Sequence, residues 1–485
     1  MHLKVQKRNG REYLSIVQNY RDGGKTRTRT IETIGYADSF ADRFDDPVAH
    51  FRAHVEEMNA QAAAEKQPVE FAFEHDDVID GKATPRARLG AAIALGCLDA
   101  IGVRGFFEAR AGREGFPAQA GRVFEMLAAE RMMHVASKRE SWTARDSFPR
   151  PCGFSFEDAY AALPCIARES GRLDAHLRRT WQRVNGRENP DTVLLVCGTY
   201  GFPTGGRGTR ASVVVALDMQ GIPLAYREID GNLSPRTIRR STDALKDLLG
   251  ARRAIVIAGA LQTITPAIAE IAAGGDGFVL FQPSLDETPG LEKWVSEEKG
   301  YRSMGAGARM KTRVAERQLP DGRDVKVKEV ALRGGGYALR DGRAALVSSE
   351  TDLGANAIVQ LFREVWRQAE PFQPLEADFS PMPWPVGDRD HIRAHFAICY
   401  AAFFALRVLR WKSGWNHNAA DTADALLRME GVGLQRNYYL FNYRSDVTDD
   451  IERAVDVPPA RRLRTRAELR SIPVAVKHAL REPAS

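Results

Sequence analysis

A mixed α/β sheet, preceded by a helical region and followed by a β-rich segment, is the fold class that three observations predict. Short apolar runs alternate with helical stretches between residues 189 and 304. The runs at 192–196 and 254–258 are almost uninterrupted by polar residues, as strands buried on both faces are. Residues 305–350 then break this rhythm with Gly-punctuated β segments at 311–316, 324–332, 337–340 and 343–348.

In chain order, residues 1–36 read as a small β unit. Strands at 3–6 and 13–19 flank the Asn9-Gly10 turn signal, and Asp22-Gly23-Gly24 leads to a third strand at 26–34. A helix is predicted at 47–64, opening a helical region that runs to 188. Within it, residues 66–85 are polar, acidic and Pro-flanked, as a loose connection would be. Apolar faces at 89–96 and 123–135 recur at helical spacing, and another helix starts at 156–166. The central segment reads as strands at 192–196, 212–217 and 222–229, the last two joined as a hairpin at Asp218-Met219-Gln220-Gly221. A helix at 235–249, a strand at 254–258, a helix near 265–273 and a strand at 278–281 follow. After the β-rich segment, closing helices are predicted at 355–370 and 391–409 within 351–410. The tail, 411–485, mixes helices with an aromatic stretch and ends basic.

With 485 residues, 44% hydrophobic and 27% charged, the composition is that of a multidomain globular chain. No apolar run approaches the roughly 18 residues that span a bilayer, so no membrane partner is expected. The start MHLKVQKRNG lacks the apolar core of a signal peptide. Five cysteines lie far apart without a CxxC pair, which disfavours zinc ribbons and disulfide frameworks and fits a reducing cytoplasm. The net charge of +6 is small for the length, but Lys4, Lys7, Arg8, Arg11, Arg21, Lys25, Arg27 and Arg29 crowd the first 35 residues. That cluster is either a solvated face or a surface that tracks nucleic-acid phosphates.

The ordered set of segments resembles a family. YLSIVQNYRDGGKTRTRTIETIGY, RMMHVASKRESW, FEDAYAALPCI, DMQGIPLAYREIDGNLSPRTI with Gly231-Asn232, Asp341-Gly342-Arg343, FREVWRQAEPF and HIRAHFAICYAAFFALRVLR stand in one order. Together they are similar to the DDE transposases of bacterial insertion sequences, in the insertion-sequence-four superfamily and closest to its sixteen-thirty-four branch. The resemblance implies a ribonuclease-H-like core interrupted by a β-rich insertion, double-stranded DNA at element ends as partner, and a homodimer. It also implies two magnesium ions held by three carboxylates, because hard cations take oxygen ligands and an ion pair activates attacking and leaving oxygens together.

Those carboxylates are missing from their places. In LLVCGTYGF, Cys197 occupies the first position, with Thr199 and Phe202 keeping its surroundings. In IVIAGALQT, Gly259 occupies the second, with Ala260 where a basic residue is usual. Between Trp366 and Phe372, Ala369 occupies the third, and Glu376 stands where a Lys belongs. A thiol, a hydrogen and a methyl group do not hold magnesium, so the expected protein is catalytically inactive, with no cofactor. The alternative is an active nuclease or transposase with displaced carboxylates at Asp218, Asp230 and Glu370, which would need magnesium. A third reading is a protein-interaction scaffold without DNA binding.

Other residues carry weaker signals. Lys138, Arg139, Arg207, Arg210, Arg239 and Arg240 are candidate phosphate contacts, against the plainer reading of solvated surface. His391 and His395 have a metal-ligand spacing, but the apolar run after them favours a capping or core role. Cys197 with one of these histidines would be a nucleophile pair, against the commoner role of a buried small hydrophobe. Gly334-Gly335-Gly336 reads as a β turn, and Arg461, Arg462, Arg464 and Arg466 as solvated surface or non-specific DNA contacts.

Overall fold

A computed structural model describes the chain except residues 9, 23–24, 42, 45, 65–68, 73–74, 76–84, 114, 187, 203–208, 260, 262, 283, 306, 335–341, 368–371, 373–387 and 483–485. Of residues 20–22, 25–27, 60–64 and 364–367 it describes the backbone alone. The chain divides into two compact units, Met1–Ile79 and Asp80–Ser485.

The first unit is a three-stranded antiparallel sheet, β1 (His2–Arg8), β2 (Arg11–Asp22) and β3 (Lys25–Tyr36), with helix α1 (Pro47–Ala64). Gly10 turns the first hairpin with φ of 77°, a left-handed conformation that suits glycine. Leu14, Ile16, Val17 and Val55 are buried. Two register shifts, between Leu14/Ser15 and between Ile16/Val17, bend the long β2–β3 pair.

The second unit begins with β4 (Arg86–Arg88) and the helices α2 (Leu89–Ala100), α3 (Val103–Glu108), α4 (Ala120–Met133), α5 (Lys138–Thr143), α6 (Phe156–Ala161) and α7 (Leu163–Asn185). Then come β5 (Thr192–Phe202), β6 (Thr209–Leu217), β7 (Pro223–Asp230), α8 (Pro235–Leu249), β8 (Arg253–Ala258), α9 (Thr265–Ala273), β9 (Gly277–Gln282) and α10 (Leu291–Ser296). Strands β10 (Arg302–Gly305), β11 (Ala308–Gln318), β12 (Asp324–Arg333) and β13 (Arg343–Ser348) precede α11 (Ala355–Arg367) and α12 (Asp388–Lys412). The chain ends with α13 (Ala419–Arg428), β14 (Glu430–Gly433), β15 (Tyr438–Phe441), α14 (Asp446–Ala454), β16 (Leu463–Thr465) and α15 (Arg466–Arg481).

A nine-stranded mixed sheet runs β10-β11-β12-β13-β9-β8-β5-β6-β7. β5, β6 and β7 form an antiparallel meander, whereas β5, β8 and β9 are mutually parallel. The two-residue period of β5 sends alternate side chains to opposite cores. Val193, Leu195 and Cys197 pack with Ile238 and Leu245 of α8 and Ile268 of α9. Leu194, Val196, Tyr200 and Phe202 join the larger core built around α12. Helix α8 is well marked locally: Ser234 and Thr237 form a capping box, Pro235 opens the first turn, and Gly250 ends it at φ of 67°.

The β-rich segment extends the central sheet, because β13 pairs antiparallel with β9 from Ala345↔Gln282 to Ser348↔Val279. The predicted strand at 337–340 lies outside the described residues. One expectation needs correction: an apolar stretch of membrane-spanning length does occur, at Arg389–Lys412 in α12, but 94% of its apolar window is buried inside the protein. Its greasiness serves packing against α7, α4 and α2. A four-stranded sheet, β16-β15-β14-β4, joins the tail to the start of this unit.

Candidate functional site

Parallel pairing of β5 and β8 brings two of the three expected acidic positions together. Cys197 is the register partner of Ala258, and Gly259 follows Ala258 directly. Adjacent strands lie about 4.8 Å apart, so the two backbone positions are close, while the Cys197 side chain turns with Val193 and Leu195 into the core under α8 and α9. The residues actually present do not fit a metal ion. Cys197 is 1% exposed and its thiol is pushed up to about 12 by burial alone, with no nearby charge to favour the thiolate. Gly259 offers no side-chain donor. Ala369 lies outside the described residues, as does Glu370. Among the described residues no group of three or more His, Cys, Asp or Glu side chains is placed to hold a metal ion.

The surroundings of these positions are well tied. Thr199 Oγ1 lies 2.8 Å from Ser212 Oγ, which donates to the Gly231 carbonyl at 2.7 Å, linking β5 to the Gly231-Asn232 turn. Gly198 makes room for Tyr200, since a Cβ there would come within 2.6 Å of the tyrosine oxygen. Phe202 meets His395 and Phe396 edge-on. Phe372 is fully buried, with its ring 6.4 Å from that of Tyr200.

Asp218 and Asp230 do not converge. Asp218 is spent on its own turn, where Oδ1 accepts from the amides of Gln220 and Ile222 at 2.9 and 2.8 Å. Asp230 lies at the far end of β7, exposed and paired with Arg389 at 2.8 Å. Seven strand steps at about 3.3 Å each put the two about 23 Å apart, far beyond a shared ion pair. His391 and His395 are both buried. Burial, together with the charge of Lys138, holds His391 down to about 2; burial with Arg131 and Lys138 holds His395 well below its usual range. His395 Nε2 lies 3.0 Å from the Phe372 carbonyl and 3.5 Å from Cys399, a core position rather than a partner for Cys197.

The candidate phosphate contacts separate. Lys138 is only 4% exposed, at the start of α5, and is withdrawn from solvent. Arg139 is exposed, 5.4 Å above the Phe156 ring. Arg210 is exposed and donates to Asn232 at 3.3 Å. Arg239 is committed to Asp243 and to the Glu270 carbonyl, at 2.7 and 3.1 Å, while Arg240 on the same helix is exposed. Arg207 lies outside the described residues. In the first unit Lys4, Lys7, Arg8, Arg11 and Arg29 are exposed. Arg8 stacks on Tyr13, and Arg11 stacks on Tyr36 and pairs with Asp38.

Several buried or half-buried carboxyls escaped sequence reasoning, among them Asp174, which is buried, and Glu228, which is half-buried. Asp174 on α7 is raised to about 7 by burial, against the opposing pull of Arg178. Glu228 on β7 is likewise raised to about 7 by burial, opposed by Arg393 at 3.5 Å. The i, i+4 spacing of Asp174 and Arg178 on an otherwise apolar face was the available signal for the first; Glu228 had none.

The sequence model of the IS1634 family transposase N-terminal domain matches residues 3–69 of this chain. No curated protein matches it. The matched segment covers the first unit's sheet and α1, and the similarity is to a DNA-transposing class of protein.

Proposed function

We propose that this chain is a transposase-like, DNA-binding protein of the insertion-sequence DDE family that no longer cuts or joins DNA. The observation that carries the proposal is the pairing of Cys197 with Ala258, beside Gly259. The two positions where the family resemblance calls for carboxylates are neighbours in the sheet, and they hold a core thiol and a glycine. The match of residues 3–69 supports the transposase part of the reading. The order of elements supports a ribonuclease-H-like core: β5 as first core strand, the β6–β7 hairpin, α8, β8, then a β-rich segment before α11. Double-stranded DNA at element ends is the proposed partner, bound as a homodimer. The alternative of displaced carboxylates is opposed by the separation of Asp218 from Asp230.

The test is to mix the purified protein with duplex DNA carrying the ends of its element, in magnesium or manganese. Salt-dependent binding without strand cleavage or joining is expected. Cleavage would overturn the inactive reading, and salt-insensitive or absent binding would favour the scaffold.

A further inference from the structure

Helices α7 and α15 present two faces to one open groove. On α7 the lining residues His176, Thr180 and Arg183 recur at i, i+4 and i+7; on α15 Val474, Lys477, His478 and Arg481 recur at i, i+3, i+4 and i+7. Gly102, in the turn between α2 and α3, also lines this recess of about 560 Å³. Four cations line it, Arg104, Arg183, Lys477 and Arg481, against two acids, Asp99 and Glu108.

Both acids are already committed. Glu108 pairs with Arg104 at 2.7 Å, and Asp99 pairs at 3.0 Å with Arg150, which lies outside the groove lining. Among the described residues, neither Arg183, Lys477 nor Arg481 has a carboxylate within ion-pairing distance. Arg183 donates only to the Arg179 carbonyl of its own helix, at 3.3 Å. The cations also feel one another. Burial, and after Asp99's opposing pull the charge of Arg183, lowers the pKa of Arg481.

Helices α2, α7 and α15 all end at this groove, and helix C-termini attract cations. That accounts for Arg481, which donates to the carbonyls of Ala100 and Asp99 at 3.1 and 3.2 Å. It does not account for Lys477, a full turn earlier and without such a bond. Clustered cations without acidic partners carry an electrostatic cost that a bound polyanion relieves.

We infer that the groove between α7 and α15 is a phosphate-binding site, and that its ligand is the sugar-phosphate backbone of duplex DNA, held through Arg183, Lys477 and Arg481. The inference rests on the DNA-binding reading and names a surface for it. The contact is independent of base sequence, since it reads charge alone.

The experiment compares the full chain with the double variant Arg183→Gln/Lys477→Gln, which leaves Arg481 to cap its carbonyls. Fluorescence anisotropy with a labelled duplex is read across a salt series, and folding is checked by circular dichroism. The slope of log K against log salt is expected to fall by roughly 2 in magnitude, at about 0.9 per lost phosphate contact. An unchanged slope in a folded variant would overturn the groove assignment while leaving DNA binding elsewhere intact. No salt-dependent binding by the unaltered chain would overturn the functional reading itself, and this inference with it. Titration with inorganic pyrophosphate separates the sources. Binding heat that the double variant abolishes, alongside an unchanged DNA slope, would mean a small-anion site and would contradict the DNA assignment.

Discussion

On β12, Glu329 is wholly buried and held by Arg313 and Arg317 at 2.6 and 2.7 Å; on β5, in the same sheet, Cys197 is as deeply buried among apolar side chains and no charge perturbs it. Arg313 is the direct cross-strand partner of Glu329, so pairing register delivers the countercharge. At Cys197 the register partners are Val214 and Ala258, which deliver none. The sheet therefore accommodates a buried carboxylate where neighbouring strands neutralise it. A carboxylate at position 197 would have only a metal ion to do so, and the neighbouring Gly259 contributes nothing to hold one. The centre is built as core, and the wing is built around charge.

Placing an acid in the centre breaks this contrast most sharply. Cys197→Asp is expected to destabilise the protein by about 3–5 kcal/mol, the cost of an uncompensated buried charge. Urea denaturation would measure it, and a loss under about 1 kcal/mol would mean that water or ions reach the position. In the wing, Arg317→Ala should cost about 3 kcal/mol, because Glu329 is left with Arg313 alone. Replacing Arg317 and Glu329 together with Met should recover most of that loss. Equal losses from the single and double changes would show that packing, not charge, dominates there.

Asp174 tests an intermediate case, a buried acid with a cation near but with Oδ1 lacking a hydrogen-bond partner. Its pKa is raised to about 7 from 3.8, so the folded state holds its proton more tightly than the unfolded chain. Its stabilising contribution is present below pH 3.8 and is lost as pH rises toward 7. The Asp174→Asn variant should lack this decline, which runs at up to about 1.4 kcal/mol per pH unit. Parallel stability–pH curves for the two proteins would contradict the shift. The smallest stability effect is expected in the groove. Arg183→Gln/Lys477→Gln should stay within about 0.5 kcal/mol of the unaltered chain, since neither side chain has a carboxylate partner to lose.

Local chemistry made much of the core legible. The apolar runs of β5 and β8, the Ser234-Pro235 start and Gly250 stop of α8, and the Asp218–Gly221 turn are written in neighbouring residues. Pairings between distant segments were not. Nothing near residue 345 announces that β13 will pair with β9, and strands of three or four residues such as β4 and β16 carry too few side chains to show a period. Lys138 looked like a surface cation because helix ends usually are exposed, yet tertiary packing buries it. The two groove faces have visible helical spacing, but only the fold reveals that residues about 300 apart in sequence line one recess.

The most direct measurement is a strand-cleavage assay on element-end duplex with magnesium and manganese, run beside a binding assay on the same samples. DNA that is bound in a salt-dependent way and stays intact is the predicted result. Nicked or joined strands would show that a working metal site exists elsewhere, and would contradict the account built on Cys197 and Gly259.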